Sequence, residues 1–456
     1  MVLWIGVDDT DSLRGMCTTF LATELVRELT RGSDLIGFPR LVRLNPNIAW
    51  KTRGNGAICV RIGHGRGVPW RVGSIDGEAI LAFPRGDGSP DLASAAASVA
   101  QIVEQWSCFA DPTTHPGFVV LSRQPTARLY WRAVREIVEL GEALEASRSL
   151  GIVKGYKEGR GIVGAAASTA WRPRDRTYEI LAYRSPDRWG SSRDVAAASV
   201  VDMDQRFPST FNNFDYDEGR VVITPRSPCP VLCGIRGDDP TVLPSALSCL
   251  RGELPDRWLV FETNQGTDDH VLRRGKPTPL RTVRLQGEVT RAPRTLAGGH
   301  VVFQMGGLDV SAYEPSKRFR HVVRLLAVGD QVEVIGAVRE TPRTINLEKI
   351  QVLRLAPVVR KIANPACPSC GKRMKSCGRD APYRCSRCRT KVPRGEAIVE
   401  RVERVIEPGW YEPPVGSRRH LTMPLRRMVS LGAGRPSRQA GRPGRRRNQA
   451  RETVPG

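Results

Sequence analysis

The sequence predicts a multidomain protein of mixed α/β and α+β class, whose N-terminal body is followed by a small OB-fold barrel and a C-terminal zinc ribbon. Three observations predict it. In the first 275 residues, strand-like runs (VLWIGV, LIGFPRLVRL, AICVRIG, TYEILAYR, RVVITP, WLVFETN) are interspersed with helical stretches at 18–29, 91–106 and 126–149. Residues 280–356 read as three strands, a helix and two strands, which is the order of an OB-fold barrel. Two CxxC pairs then stand fourteen residues apart. A chain of 456 residues has room for roughly three domains of ~150 residues.

The chain opens on MVLWIGVDDTDS, where an apolar run from Val2 to Val7 meets acids at once. That is a buried strand and not a secretory signal. No apolar run approaches the ~20 residues needed to cross a bilayer, so a membrane-spanning protein is excluded. The net charge of +23 is unevenly placed: +10 lies between Arg360 and Arg394, +8 between Arg426 and Gly456, and only +6 on residues 1–359. The last hundred residues are therefore the part that faces a polyanion. Five of the 11 cysteines cluster between Cys367 and Cys388, which argues for metal ligation in a reducing, cytoplasmic compartment.

After the first strand come Asp8, Asp9, Thr10, Asp11 and Ser12, then GMCTTF opening a helix. Three carboxylates within four residues repel one another unless a cation intervenes, so they are candidate ligands for magnesium, which a phosphate would bring. Thr18 or Thr19 stands at a helix N-terminus, where a hydroxyl either caps the helix or meets a phosphoryl group. The loop Lys51, Thr52, Arg53, Gly54, Asn55, Gly56 combines two cations with two glycines, suited to an oxyanion, although it lacks the spacing of a P-loop. A similar loop, Lys157-Glu158-Gly159-Arg160-Gly161, leads into an Ala-rich helix and marks a domain boundary. Either loop alone is also readable as a plain turn. Together with the acids they suggest a nucleotide site.

Further on, Asp202, Asp204 and Asp215 lie among Asn and aromatic residues, a composition suited to a small cationic ligand. The barrel region presents a groove to single-stranded nucleic acid or a tRNA arm, with a generic small β domain as the plain alternative. Cys367, Cys370, Cys385 and Cys388 offer four thiolates to a structural zinc ion, with Cys377 left as a spare thiol. Residues 395–407 have helical spacing and predict a helix beside the ribbon, and residues 429–456 predict a disordered basic tail.

As a set, GVDDTDSLRGMCTT, LIGFPRLVRLNPNIAWKTRGNGA, EGRGIVGA, LAYRSPDRWG, SPCPVLCGIRG and CPSCGKRMKSCGR resemble the archaeal tRNA-Ile 2-agmatinylcytidine synthetase family, TiaS, and the match runs to about Arg427. The resemblance implies an enzyme that joins agmatine to the wobble cytidine of the CAU anticodon of isoleucine tRNA with ATP and Mg2+. The cytidine oxygen is first phosphorylated, and the agmatine amine then displaces the phosphate. It implies a kinase-like ATP-binding domain at 1–160, a ferredoxin-like agmatine-binding domain at 161–277, an OB-fold at 278–358, a zinc ribbon with its flanking helix at 359–427, and the basic tail at 428–456. Asp8, Asp9, Asp11 and an autophosphorylated Thr18 would be catalytic. Thr10, Ser12, the 51–56 loop and Gly159 to Gly161 would bind ATP and its phosphates, and Asp202, Asp204 and Asp215 would meet agmatine. The competing expectation is a non-catalytic nucleic-acid-binding protein built on the barrel and ribbon.

Overall fold

The computed structural model describes residues 2–51, 54–88, 90–378 and 381–431. Thirteen strands between Leu3 and Thr263 join in one sheet. Its hub is Gly56–Arg66, which pairs with Leu3–Asp8, Asp34–Ile36, Arg40–Arg43 and Arg85–Asp87. Leu3–Asp8 lies between that hub and Gly117–Leu121, every residue of which is buried. A strand paired on both edges and covered on both faces must be apolar throughout, as VLWIGV and GFVVL are. Farther along, Thr177–Tyr183 is flanked by Val231–Gly237 and Arg257–Thr263. Arg257–Thr263 also pairs with Arg40–Arg43 and Trp70–Ile75, so six strands return on themselves in a ring through the hub.

Helices cover both faces. Thr18–Leu29 is almost wholly buried, and its Phe20 and Leu25 share a core with Ile5, Phe118 and Tyr183. Gly161–Ala170 lies on the other face so closely that a Cβ on Gly6 would stand 2.2 Å from the Ala165 carbonyl oxygen. Small residues on both sides are the condition for that approach. Ser168 Oγ donates to the Ile58 carbonyl at 3.0 Å, and the helix shares its core with Val119, Tyr130 and Val134. The helix that follows the expected boundary between residues 160 and 161 thus packs on the strands that precede it.

The expected helix over 126–149 is two helices, Ala127–Ala133 and Leu140–Arg148, because Glu139 and Glu142 form a capping box that starts a new one. Beyond the body, Thr282–Thr295, Val301–Met305, Leu308–Ala312, Thr344–Arg354 and Gln331–Val338 pair in a closed β-barrel. Phe319–Arg324, between its third and fourth strands in chain order, inserts Phe319 and Val323 into the barrel core.

The ribbon is three short strands, Lys375–Ser376, Tyr383–Arg384 and Lys391–Val392. The helix predicted over 395–407 is instead a strand, Ile398–Val402, paired with Val358–Ala363. Its β-branched residues satisfy both periods over so short a stretch, and a neighbouring strand decides the matter. Nor does the ribbon unit extend to residue 427. Gly409–Tyr411 pairs with the barrel strand Thr344–Arg354, and buried Arg427 donates to Asp175 and Asp238 of the body, each at 2.6 Å. Among the described residues no helix is long and apolar enough to cross a membrane. Most of the predicted basic tail, 432–456, lies outside the described residues.

Candidate active site

Where the opening strand, the Ala-rich helix and the Thr177–Tyr183 sheet meet, a cleft of about 310 Å³ takes in Asp8, Asp9, Asp11, Thr18, Lys51 and Arg160. Residues far apart in the chain thus share one chamber. Asp8 ends its strand beneath the Ala-rich helix, and burial together with Asp9 and Asp11 raises its carboxyl well above the usual range. Asp9 has φ +57°, a left-handed turn that Asp tolerates, and Arg160 Nη2 and Nε donate to its Oδ2 at 2.9 and 3.1 Å. Asn55 and Asn212, also on the cleft, share this conformation at φ +46° and +60°. Strain of this kind gathers where a site must be held open.

The Asp11 carbonyl accepts from Thr114 Oγ1 at 2.7 Å. Ser12 Oγ donates to Asp111 at 2.6 Å, and Ser12 and Thr113 hold the Asp111 carboxyl well below its ordinary value. Ser12 is thus a support of the acid turn and does not line the cleft. Thr10 is fully buried and donates to Thr18 Oγ1 at 3.1 Å. The helix N-cap is Cys17, with no side-chain cap, so the Thr18 hydroxyl is turned toward Thr10 and the cleft and does not serve the helix end.

On the facing wall, Asn55 Nδ2 donates to the Asn45 carbonyl at 2.9 Å, and Lys51 Nζ is held by the Pro46 carbonyl. Gly54 and Gly56 line the cleft beside them, while Thr52 and Arg53 of the same loop lie outside the described residues. From the second loop only Arg160 reaches the cleft. Gly159 turns the chain at φ +67°, and Gly161 packs against the Asp8 and His115 carbonyls, 2.6 and 2.9 Å from a would-be Cβ.

The three carboxylates expected to meet agmatine stand elsewhere. Asp202 is exposed beside Arg251 at 3.6 Å. Asp204 accepts from Asn213 and Tyr216, each at 2.8 Å, and buried Asp215 accepts from the Gly416 N–H at 3.3 Å. None of the three lines the cleft. Instead, Glu136, Glu179, Arg43, Arg236 and His420 do. The motifs TYEILAYR, FPRLVRL and CGIRG contain Glu179, Arg43 and Arg236, but only strand register tells which of their side chains face the chamber.

Metal sites follow from the same geometry. Sγ atoms of Cys367, Cys370, Cys385 and Cys388 all lie within 4.8 Å of one another. The pairs 367–388, 370–385 and 370–388 are at 3.3, 3.6 and 3.8 Å, against about 3.8 Å for sulfurs bound tetrahedrally to zinc. Each knuckle closes on a residue of positive φ, Gly371 at +69° and Arg389 at +60°. Cys377 is exposed and outside the quartet. Among the described residues the acid turn forms no comparable three-ligand set.

Residues 4–156 match the TiaS TCKD domain, residues 159–270 the TiaS FLD domain, and residues 364–406 the TiaS C-terminal zinc ribbon domain. The isoleucine-tRNA 2-agmatinylcytidine synthetase TiaS of Archaeoglobus fulgidus is 40% identical over 442 residues, covering 94% of this chain and 98% of that protein. The chain belongs to the TiaS family. The TiaS of Methanocaldococcus jannaschii is 37% identical, covering 93% of this chain and 98% of its own. Among solved structures, a complex of TiaS with its isoleucine tRNA and ATP is similar at a TM-score of 0.80 and 38% identity, covering 94% and 98% of the two chains. A complex of TiaS with the same tRNA, AMPCPP and agmatine is similar at a TM-score of 0.78 and 35% identity, with the same coverage.

Proposed function

We propose that this chain is an isoleucine-tRNA 2-agmatinylcytidine synthetase, which uses ATP to join agmatine to C2 of the wobble cytidine. The observation that carries this reading is the single cleft holding the acid turn, Thr18, Lys51 and Arg160, in a chain similar over 94% of its length to a TiaS solved with its isoleucine tRNA and ATP.

The ring carbonyl oxygen of cytidine is a poor leaving group, and phosphate is a good one. Cytidine O2 therefore first takes a phosphoryl group from ATP, as the P–O bond joining that group to the rest of the nucleotide breaks. The agmatine primary ammonium gives up a proton to water, its amine adds at C2, the C2–O bond breaks with phosphate taking the electron pair, and a second N–H proton is released to water. Asp8, Asp9 and Asp11 would hold a magnesium ion that neutralises charge on the transferring phosphoryl group. Lys51, Asn55 and Arg160 bind phosphate oxygens, with Arg160 also fixing Asp9. Thr18, freed from capping, is the phosphoacceptor expected of the family. Agmatine is a dication, and Asp202, Asp204 and Asp215 are its proposed partners, with Glu136 and Glu179, which line the cleft but already pair with Arg132, Arg281 and Arg236, as the alternative.

The N-terminal half acts as the kinase-like and ferredoxin-like units, with the OB-fold barrel and zinc ribbon gripping the tRNA through the basic end of the chain. The wobble base must leave its stack to reach the cleft. The reaction belongs in the cytoplasm, where the Cys quartet stays reduced. Incubating the chain with ATP, agmatine and a transcript of the CAU-anticodon isoleucine tRNA, followed by nucleoside mass spectrometry, tests the reading. An agmatine adduct at the wobble position is expected, and its absence refutes the proposal.

A further inference from the structure

His420 reaches the cleft from the far end of the chain. The segment returning from the ribbon is pinned at this point: the Gly266 N–H donates to the His420 carbonyl at 2.8 Å and the Asp268 N–H to the Leu421 carbonyl at 2.9 Å. Leu421 is buried in the core of the body, while His420 is exposed and its ring opens on the cleft.

The tautomer of that ring follows from its neighbour. Nδ1 lies 3.0 Å from Arg236 Nη2. A guanidinium offers donors and no lone pair, so Nδ1 accepts and the proton of the neutral ring sits on Nε2. Arg236 is itself aimed by buried Glu179, its partner across two neighbouring strands, with Nε donating to Oε1 at 2.9 Å. Carboxylate, guanidinium and imidazole thus form a chain whose last member is an N–H donor. The positive charges of Arg43 and Arg236 beside the ring lower its pKa and favour the neutral form.

The donor lies beside the 51–56 loop. A Cβ placed on Gly54 would stand 2.6 Å from Arg43 Nη1 and 3.7 Å from His420 Nε2. Two donors therefore converge beside Gly54, whose carbonyl already accepts from Arg43 Nη1 at 3.4 Å. We infer that His420 is a substrate-contacting residue, which with Arg43 forms a subsite beside Gly54 for an anionic phosphoryl oxygen and donates its Nε2–H to it. This rests on the ATP-dependent reading above and deepens it. A neutral ring adds a directed hydrogen bond without a third positive charge beside Arg43 and Arg236, which explains why an imidazole and not an ammonium stands there.

The test compares full-length wild type, His420→Ala and His420→Gln with Mg–ATP, agmatine and the isoleucine tRNA transcript, with Tm and tRNA Kd measured alongside. His420→Ala is expected to lower kcat/KM for ATP on the order of 100-fold with Tm and tRNA Kd unchanged. His420→Gln, whose amide N–H falls near Nε2, is expected to recover most of it. Unchanged kcat/KM in His420→Ala overturns the inference. So does an equal loss in His420→Gln with Tm intact, which would make the ring a base, or a loss that tracks a fallen Tm or weakened tRNA binding. A wild-type chain that forms no adduct refutes the functional reading, and the inference falls with it.

Discussion

Arg160 and Asp9 are joined across 151 residues of sequence, the guanidinium donating twice to one carboxylate oxygen at 2.9 and 3.1 Å. The pair ties the acid turn to the start of the Ala-rich helix, and both residues face the cleft. Arg160→Ala releases the Asp9 carboxylate from its fixed orientation and removes a cation from the phosphate wall. ATP turnover is expected to fall roughly 100-fold while tRNA affinity changes little. Steady-state ATPase and filter-binding measurements check it. Unchanged turnover would favour a non-catalytic nucleic-acid binder.

Gly164 is a second point of leverage. A Cβ there would stand 1.8 Å from Asp8 Oδ2 and 2.6 Å from its Cγ, with the Asp8 carboxyl buried beneath the helix. Ala is the better helix former, so Gly164→Ala gains about 1 kcal/mol of helix propensity that the collision opposes. Adduct formation is expected to be lost with the fold retained, as read by product mass spectrometry beside circular dichroism. Full activity in this variant would show that the position of Asp8 does not matter.

Glu348 is a buried junction of barrel, body and returning segment. It accepts from His270 Nε2 at 2.9 Å and Thr422 Oγ1 at 3.0 Å, with Arg419 at 3.4 Å. Burial alone would raise its pKa, but Arg419 and His270 outweigh that and bring it to about 2, below the ordinary 4.5. A carboxyl depressed in the folded state contributes stability above its unfolded pKa and loses it as pH falls toward the folded value. Wild type is expected to lose stability between pH 4.5 and 2, and Glu348→Gln to show a flatter profile there. At pH 7 the variant is expected to be less stable by about 2 kcal/mol, because the His270 and Thr422 donors lose a charged acceptor. Thermal melts against pH check both.

Next to it, Lys349 is fully buried, donating to Asp268 at 2.6 Å and to the Met423 carbonyl at 2.8 Å. Asp268→Ala leaves that ammonium without its counter-charge and is expected to cost about 3–5 kcal/mol. Urea unfolding measures it, and a cost under about 1 kcal/mol would contradict the assignment.

The Cys quartet predicts one zinc per chain. Cys385→Ser removes a buried ligand and is expected to lower metal content and unfold the ribbon, leaving the body's melting transition in place. Elemental analysis with calorimetry reads both. Zinc-free wild type in reducing buffer would refute the site.

Legibility followed chain distance. The CxxC pairs stand at fixed spacing, and Asp8, Asp9, Asp11, Lys51, Gly54 to Gly56 and Arg160 reach the cleft from short motifs, so local order singles them out as candidates. The barrel was legible for the same reason, since its strands follow one another with a short helix between the third and fourth. Glu179, Arg236 and His420 were not legible as a site: Arg236 and His420 are 184 residues apart and meet only because the returning segment crosses the sheet. Asp202, Asp204 and Asp215 lie outside the cleft, and their partners Asn213, Tyr216 and Arg251 are near them in the chain or the fold, which composition alone does not reveal.

By itself, the sequence determined the class of the fold, the acid turn, the basic loops and the zinc ligands, because local residue order fixes turn chemistry and knuckle spacing. Tertiary structure alone decided that Thr18 faces the cleft instead of capping its helix, that residues 395–407 hold a strand, and that His420 belongs to the site. Those outcomes depend on which strand pairs with which and on which side chains lose their access to water, and neither quantity is a property of any local stretch of chain.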